Sequence, residues 1–99
     1  MPEVVFHRKA LAEAARSALY YDRQRPGLGA DFFEELDAVT GEAAKDPLCQ
    51  PADKDSVRSW RLERFPFRVY YVIEPSCIRM LAVAHASRRP DYWRPRIDD

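Results

Sequence analysis

The sequence has few of the residues that mark disulfide, metal and membrane proteins. It contains two cysteines in 99 residues, Cys49 and Cys77, with no C-x-x-C and no histidine-rich partner segment. That usage fits a reducing compartment and gives no zinc signature. The N-terminus lacks the long apolar core of a secretory signal, and no run reaches the roughly 20 apolar residues of a membrane span. We therefore expect a cytoplasmic protein with no membrane, metal or cofactor requirement.

Motifs for nucleotide binding and covalent catalysis are also missing. The chain has only three glycines and contains neither a Gly-x-Gly-x-x-Gly fingerprint nor a P-loop. It has no serine or cysteine nucleophile signature, and its acidic residues show no spacing typical of a glycosidase pair. These absences argue against nucleotide-dependent enzymes and the common hydrolases.

Charge is abundant and unevenly distributed. Sixteen basic and sixteen acidic residues give a net charge of zero, but residues 1–49 carry −3 and residues 50–99 carry +3. Only three of the sixteen bases are lysine. Arginine binds phosphate and carboxylate groups through a planar fork, so this polarity indicates an anionic partner for the second half.

Hydrophobic periodicity predicts one α+β domain over residues 1–99. A β-branched run opens the chain, and two helical patterns joined by the tight "RPGLG" break follow it. Three strand-like runs with short links then predict an antiparallel meander packed under the helical hairpin. The order is β-α-α-β-β-β. The predicted bounds are Glu3–His7, Arg8 to about Gln24, a second helix ending at Asp46-Pro47, Ser56–Glu63, Phe67–Glu74 and Cys77–Ala86.

Period-two alternation assigns faces to the last two strands. The wholly apolar sets are expected under the helices, with the inner side of the second helix above them. These sets are Phe67, Val69, Tyr71 and Ile73, then Ile78, Met80, Ala82 and Ala84, with Phe32, Phe33, Leu36, Val39, Ala43 and Ala44 on the helix. The prediction leaves Arg68, Tyr70, Arg79 and His85 on an open face, unless a bulge changes the register.

Three segments, in order along the chain, resemble the RelE/ParE superfamily of toxins. They are "QRPGLGADFFEEL", "RLERFPFRVYYVIE" and "LAVAHASRRPDYWR". These proteins are the toxins of type II toxin–antitoxin modules, also called plasmid stabilisation proteins. The resemblance implies a RelE-like fold and a hetero-oligomer with a cognate antitoxin whose C-terminal segment wraps the toxin. The antitoxin is expected on the apolar helix faces or at a sheet edge.

The resemblance implies two different activities. RelE-like members cleave mRNA in the ribosomal A site without a metal, whereas ParE-like members inhibit DNA gyrase. Our interpretation from the sequence places a metal-independent endoribonuclease, an mRNA interferase causing growth inhibition, ahead of a gyrase inhibitor. The third possibility is an inactive relative that only binds antitoxin. The net charge of zero is lower than RelE-like nucleases carry.

For RNA cleavage, the candidate catalytic residues are His85, Arg68, Tyr92 and Arg88. His85 would transfer a proton, the arginines would steady the phosphate, and Tyr92 would stack on a base or assist. The alternatives are a strand-end His85 bonded to backbone or to Asp91, and surface roles for the arginines. Trp93 is expected to anchor the tail. The candidate RNA-binding residues are Arg58, Arg61, Arg89 and Lys54.

Overall fold

A computed structural model describes residues 2–99 as one α+β unit in the predicted element order. A 3₁₀ turn over Arg94–Asp98 follows the last strand. The elements are β1 (Glu3–Phe6), α1 (Arg8–Gln24), α2 (Leu28–Lys45), β2 (Arg58–Arg61), β3 (Phe67–Ile73) and β4 (Cys77–His85). Within residues 2–99 no helix is long and apolar enough to cross a membrane.

The turn between the helices depends on glycine at two places. Gly27 adopts a φ of 91°, which an L side chain rarely adopts. Gly29 lies against α1 so closely that a Cβ there would stand 2.4 Å from the Ala18 carbonyl oxygen. The Asp22 carboxylate accepts hydrogen bonds from both glycine N–H groups, at 3.0 and 3.1 Å. The "RPGLG" segment therefore sets the close packing of the helical hairpin.

The sheet has strand order β1-β4-β3-β2. The predicted antiparallel meander is confirmed for β2, β3 and β4. The sheet as a whole is mixed, because β1 pairs parallel with β4, from Glu3 opposite Cys77 to Phe6 opposite Met80. Within residues 2–99, no strand pairs with the outer edge of β4 beyond Met80. Along that edge the Leu81 carbonyl is bonded by Arg96 of the C-terminal tail, and the Val83 N–H by Glu13 of α1.

A β-bulge in β4 changes the predicted faces. Tyr70 pairs with Ala82 and Tyr71 with Met80, so Leu81 is an extra residue. The faces predicted for the first half of β4 are correct. Those predicted after the bulge are wrong: Val83 packs under the helices, and Ala82 and Ala84 lie on the opposite face. His85 pairs with Phe67 and shares its face, on the helix side of the sheet.

Both faces of the sheet are covered. The helix side holds a core of Ala10, Ala14, Ala18, Phe32, Leu36, Val39, Phe67, Val69, Tyr71, Ile78, Met80 and Val83, among others. The other face, expected to be open, packs Val57, Val72, Leu81, Ala82 and Ala84 against Trp93 of the tail. Phe33, expected on the inner side of α2, is 44% exposed.

Candidate functional site

A concave surface forms where the ends of β3 and β4 meet the C-terminal tail. It encloses about 470 Å³ and includes all four candidate catalytic residues. We call it the arginine groove. It is lined by Arg61, Arg68, Arg88 and Arg89, with Tyr70, His85, Asp91, Tyr92 and Trp93 among the other residues.

Two of these arginines stand directly opposite each other on neighbouring strands. Arg61 of β2 pairs in register with Arg68 of β3, and both line the groove. Arg61 also borders a second depression, which contains Glu34, Glu35, Glu42 and Glu63. Arg68 donates to the neutral Ser59 hydroxyl at 2.9 Å. Within residues 2–99, no carboxylate lies within 4.0 Å of Arg61, Arg68 or Arg89. The groove therefore holds three cations whose charge is not balanced by a partner.

The other two candidate RNA-binding residues lie away from this groove. Arg58 is two residues from Trp60 on β2 and shares its face, opposite to that of Arg61. Its Nη1 donates to the Gln50 carbonyl at 2.7 Å and so fixes the loop before β2. Lys54 is exposed in that same loop and is not among the groove residues.

His85 lines the groove although its strand position lies on the helix side of the sheet. Its ring meets Phe67 edge-on, with centroids 5.0 Å apart. Nδ1 accepts the Ser87 backbone N–H at 2.9 Å. In the neutral ring this hydrogen bond assigns the proton to Nε2. Nε2 then offers a proton and has no lone pair with which to take one from a 2′-hydroxyl.

The Tyr92 hydroxyl is committed to a buried carboxylate. It donates to Glu13 Oε2 at 2.7 Å, and the Arg88 guanidinium covers its ring, 3.8 Å from the centroid. Burial, together with the hydrogen bond to anionic Glu13, raises the pKa of Tyr92. Arg88 itself approaches Glu13 at 3.8 Å. These contacts hold the ring and its hydroxyl in place.

Glu13 is the central residue that sequence reasoning missed. It is 5% exposed on α1 and accepts from Arg96 at 2.9 and 3.0 Å and from the Val83 N–H at 3.0 Å. Arg96 also donates to the Leu81 carbonyl at 2.9 Å. Burial alone would raise the pKa of Glu13, but the hydrogen bonds from Arg96, Tyr92 and Val83 outweigh it and lower the pKa.

This Glu13 network replaces a neighbouring strand. Because β1 ends at Phe6, the Leu81 carbonyl and the Val83 N–H of β4 lack strand partners on that edge. Arg96 and Glu13 bond those two groups instead. The sequence did contain one sign that Glu13 is buried. Its carboxylate lies three residues from Ala10 and next to Ala14, on the apolar stripe of α1.

Further ion pairs hold the rest of the tail against the domain. Arg94 contacts Asp53, Asp55 and Asp91 at 2.7 to 3.0 Å. Of the two alternatives predicted for His85, the backbone bond is the one observed, since Nδ1 accepts the Ser87 N–H. Trp93 is 3% exposed and stacks on Tyr70 at 4.4 Å, which fits its predicted role as an anchor. Within residues 2–99, no group of three histidine, cysteine or acidic side chains forms a metal site.

Comparisons with known proteins agree with this fold. Residues 4–90 match the family described as "ParE toxin of type II toxin-antitoxin system, parDE". A solved chain of the "Chromosomal ParDE TA system from P. aeruginosa" superposes with a TM-score of 0.76 at 19% identity. That match covers 88% of this chain and 98% of the other. A comparison with curated proteins gave no match.

Proposed function

Because the chain belongs to the ParE toxin family of type II toxin–antitoxin systems, we propose that it inhibits DNA gyrase by binding and does not cut RNA. ParE-like members of the superfamily inhibit gyrase, as the resemblance of the sequence implied. The observation that carries the proposal is the engagement of the proton-transfer groups in structural contacts. A binding inhibitor needs a surface of fixed shape and charge, and it needs no free acid or base.

Metal-free RNA cleavage requires a base that takes the 2′-hydroxyl proton and an acid for the leaving oxygen. The two titratable candidates in the groove are His85 and Tyr92. Nδ1 of His85 already accepts the Ser87 N–H, and the Tyr92 hydroxyl already donates to Glu13. The raised pKa of Tyr92 keeps its hydroxyl protonated and disfavours a role as base. These contacts support inhibition by binding.

The partner that controls this activity is proposed to be a cognate antitoxin, as the description of the family implies. Exposed apolar side chains on the helices, Leu11 and Phe33 among them, offer one surface for it. These residues border a depression between α1 and α2 that also contains Phe6 and Leu36. Co-expression with a cognate antitoxin is therefore expected to restore growth.

A second candidate, the mRNA endonuclease, is favoured by one observation. His85, Arg68, Tyr92 and Arg88 all line the same concave surface, as an active site would require. In that reading His85 Nε2–H would protonate the leaving oxygen, and the arginines would hold the phosphate. A substitution of His85 would abolish toxicity if the chain is an endonuclease and would leave it unchanged if the chain inhibits gyrase.

The test expresses the chain without antitoxin and follows translation and plasmid supercoiling separately. Gyrase inhibition predicts early loss of negative supercoiling while ribosome-bound mRNA stays intact. His85→Gln is expected to remain toxic, with Lys45→Gln, at the end of α2 away from the groove, as the control. Prompt loss of translation with normal supercoiling, abolished by His85→Gln, would instead establish the nuclease. Absence of toxicity for a folded chain would indicate the inactive relative.

A further inference from the structure

We infer that the arginine groove binds the sugar–phosphate backbone of duplex DNA, so the toxin contacts the DNA that gyrase holds as well as the enzyme. The inference rests on the proposed function and adds a second ligand to it. It also gives a role to residues that gyrase binding alone does not explain.

The first support is the Arg61–Arg68 pair. Like charges directly opposite on neighbouring strands destabilise a sheet, and here no carboxylate relieves them. Seven of the other arginines of residues 2–99 do have an acidic partner. A phosphate between Arg61 and Arg68 would turn this repulsion into two charge-assisted hydrogen bonds.

The second support is the focusing of charge on one face of a neutral protein. The groove contains four arginines and one acid, Asp91. Asp91 pairs with Arg94 at 3.0 Å, an arginine that it shares with Asp53 and Asp55, so the lining itself has four positive charges against one negative charge. A concave surface lined by one sign of charge raises the local concentration of anions. All four groove arginines belong to residues 50–99, so the excess positive charge of that half of the sequence is concentrated on one surface.

The third support distinguishes duplex DNA from single-stranded RNA. Recognition of single strands depends on bases that stack on aromatic side chains. In this groove Trp93 stacks on Tyr70 with its centroid 4.4 Å away, and the Arg88 guanidinium covers the Tyr92 ring. With these rings occupied, the groove presents cations and offers little stacking surface. This arrangement suits a duplex, whose bases are paired and whose phosphates lie outside.

The experiment measures binding of the full chain to a mixed-sequence 20-base-pair DNA duplex between 50 and 300 mM salt. Each neutralised phosphate contributes about −0.9 to the slope of log K against log salt, so three contacts predict about −2.7. Arg61→Gln, Arg68→Gln and Arg89→Gln are each expected to reduce that slope by about 0.9 in magnitude. Lys45→Gln removes the same charge from the end of α2, where the preceding Ala43 and Ala44 pack near Ile78 at the opposite end of β4 from His85, and is expected to leave the slope unchanged.

Two results would overturn the inference. One is equal binding by Arg68→Gln, Arg89→Gln and the Lys45→Gln control. The other is tighter binding of a single-stranded RNA of the same length than of the duplex. A parallel supercoiling assay separates the two proposals. If the unsubstituted chain inhibits gyrase and the groove variants inhibit it equally well, the DNA inference fails and gyrase inhibition stands. If the chain does not inhibit gyrase, the proposed function fails, while the salt slopes still test the groove.

Discussion

Two regions of the molecule use arginine in opposite ways. In the Glu13 network, Arg96 is 8% exposed and satisfied by a carboxylate and a backbone carbonyl. In the arginine groove, Arg61 and Arg68 are exposed and face each other without a carboxylate. The two regions lie on either side of Tyr92, which donates to Glu13 and lines the groove. One region secures the tail, and the other leaves charge available to a ligand.

The comparison shows that proximity in sequence does not decide what an arginine does. Arg88, Arg89, Arg94 and Arg96 lie within nine residues of the tail. Arg94 forms ion pairs with aspartates, and Arg96 forms one with Glu13. Arg89 has no such partner, and Arg88 is intermediate, since Glu13 is 3.8 Å away. The role of each arginine depends on whether an acidic side chain lies beside it, and the carboxylates of Glu13, Asp53 and Asp55 come from distant parts of the chain.

The largest effect is expected from breaking the buried pair with Glu13→Ala. Removing one partner leaves the Arg96 charge buried and uncompensated and leaves the Val83 N–H unpaired. Such a change costs about 3–5 kcal/mol of unfolding free energy. Urea denaturation followed by circular dichroism measures this loss. Glu34→Ala, at an exposed position of α2, is the control and is expected to stay within about 0.5 kcal/mol of the parent chain.

The same carboxylate predicts a pH dependence. Its folded pKa lies below the usual value of 4.5, so its stabilisation is complete above about pH 4.5. That contribution is lost as the pH falls through the lower folded pKa, because protonation of Glu13 then removes the negative charge that pairs with Arg96. Urea midpoints for the parent chain and Glu13→Gln should therefore move progressively closer as the pH falls from about 5. A constant difference as the pH falls would contradict a charged Glu13 at neutral pH.

An intermediate effect is expected from Tyr92→Phe, which removes one of several donors to Glu13. The carboxylate keeps Arg96 and the Val83 N–H, so the loss is about 1.5 kcal/mol. If Tyr92 belongs to the network and not to a reaction, the variant also keeps its toxicity at a temperature where it is folded. Complete loss of toxicity in a folded Tyr92→Phe chain would contradict that assignment.

The smallest effect has the opposite sign. Arg61→Gln relieves the repulsion with Arg68 and is expected to raise the unfolding free energy by about 0.5 kcal/mol at low salt. The gain should fade in 1 M NaCl, where the screening length is about 3 Å. Destabilisation by Arg61→Gln at low salt would show that this arginine has a structural partner and would weaken the comparison.

Much of the fold could be predicted from local sequence. The periodicity of α1 predicted bounds that match Arg8–Gln24, and the "RPGLG" break marked the turn, although α2 begins at Leu28, within that segment. The predicted face of β3 is also confirmed for Phe67, Val69 and Tyr71. These features depend on residues near one another in the chain.

The candidate site was less predictable because two non-local features control it. The extra residue Leu81 in β4 moved His85 to the helix side of the sheet, and alternation alone gives no sign of such a bulge. Glu13 meets Arg96 across 83 residues, and no spacing rule connects them. Sequence patterns identified the arginines and Tyr92, whereas their pairing depended on the folded arrangement.

The most direct measurement is gyrase supercoiling of relaxed plasmid by purified components, with ribosome-bound mRNA integrity followed in a parallel reaction. Our account predicts that the full chain blocks supercoiling, that His85→Gln blocks it equally, and that the mRNA stays intact. Unimpeded supercoiling together with mRNA cleavage that requires His85 would contradict the account.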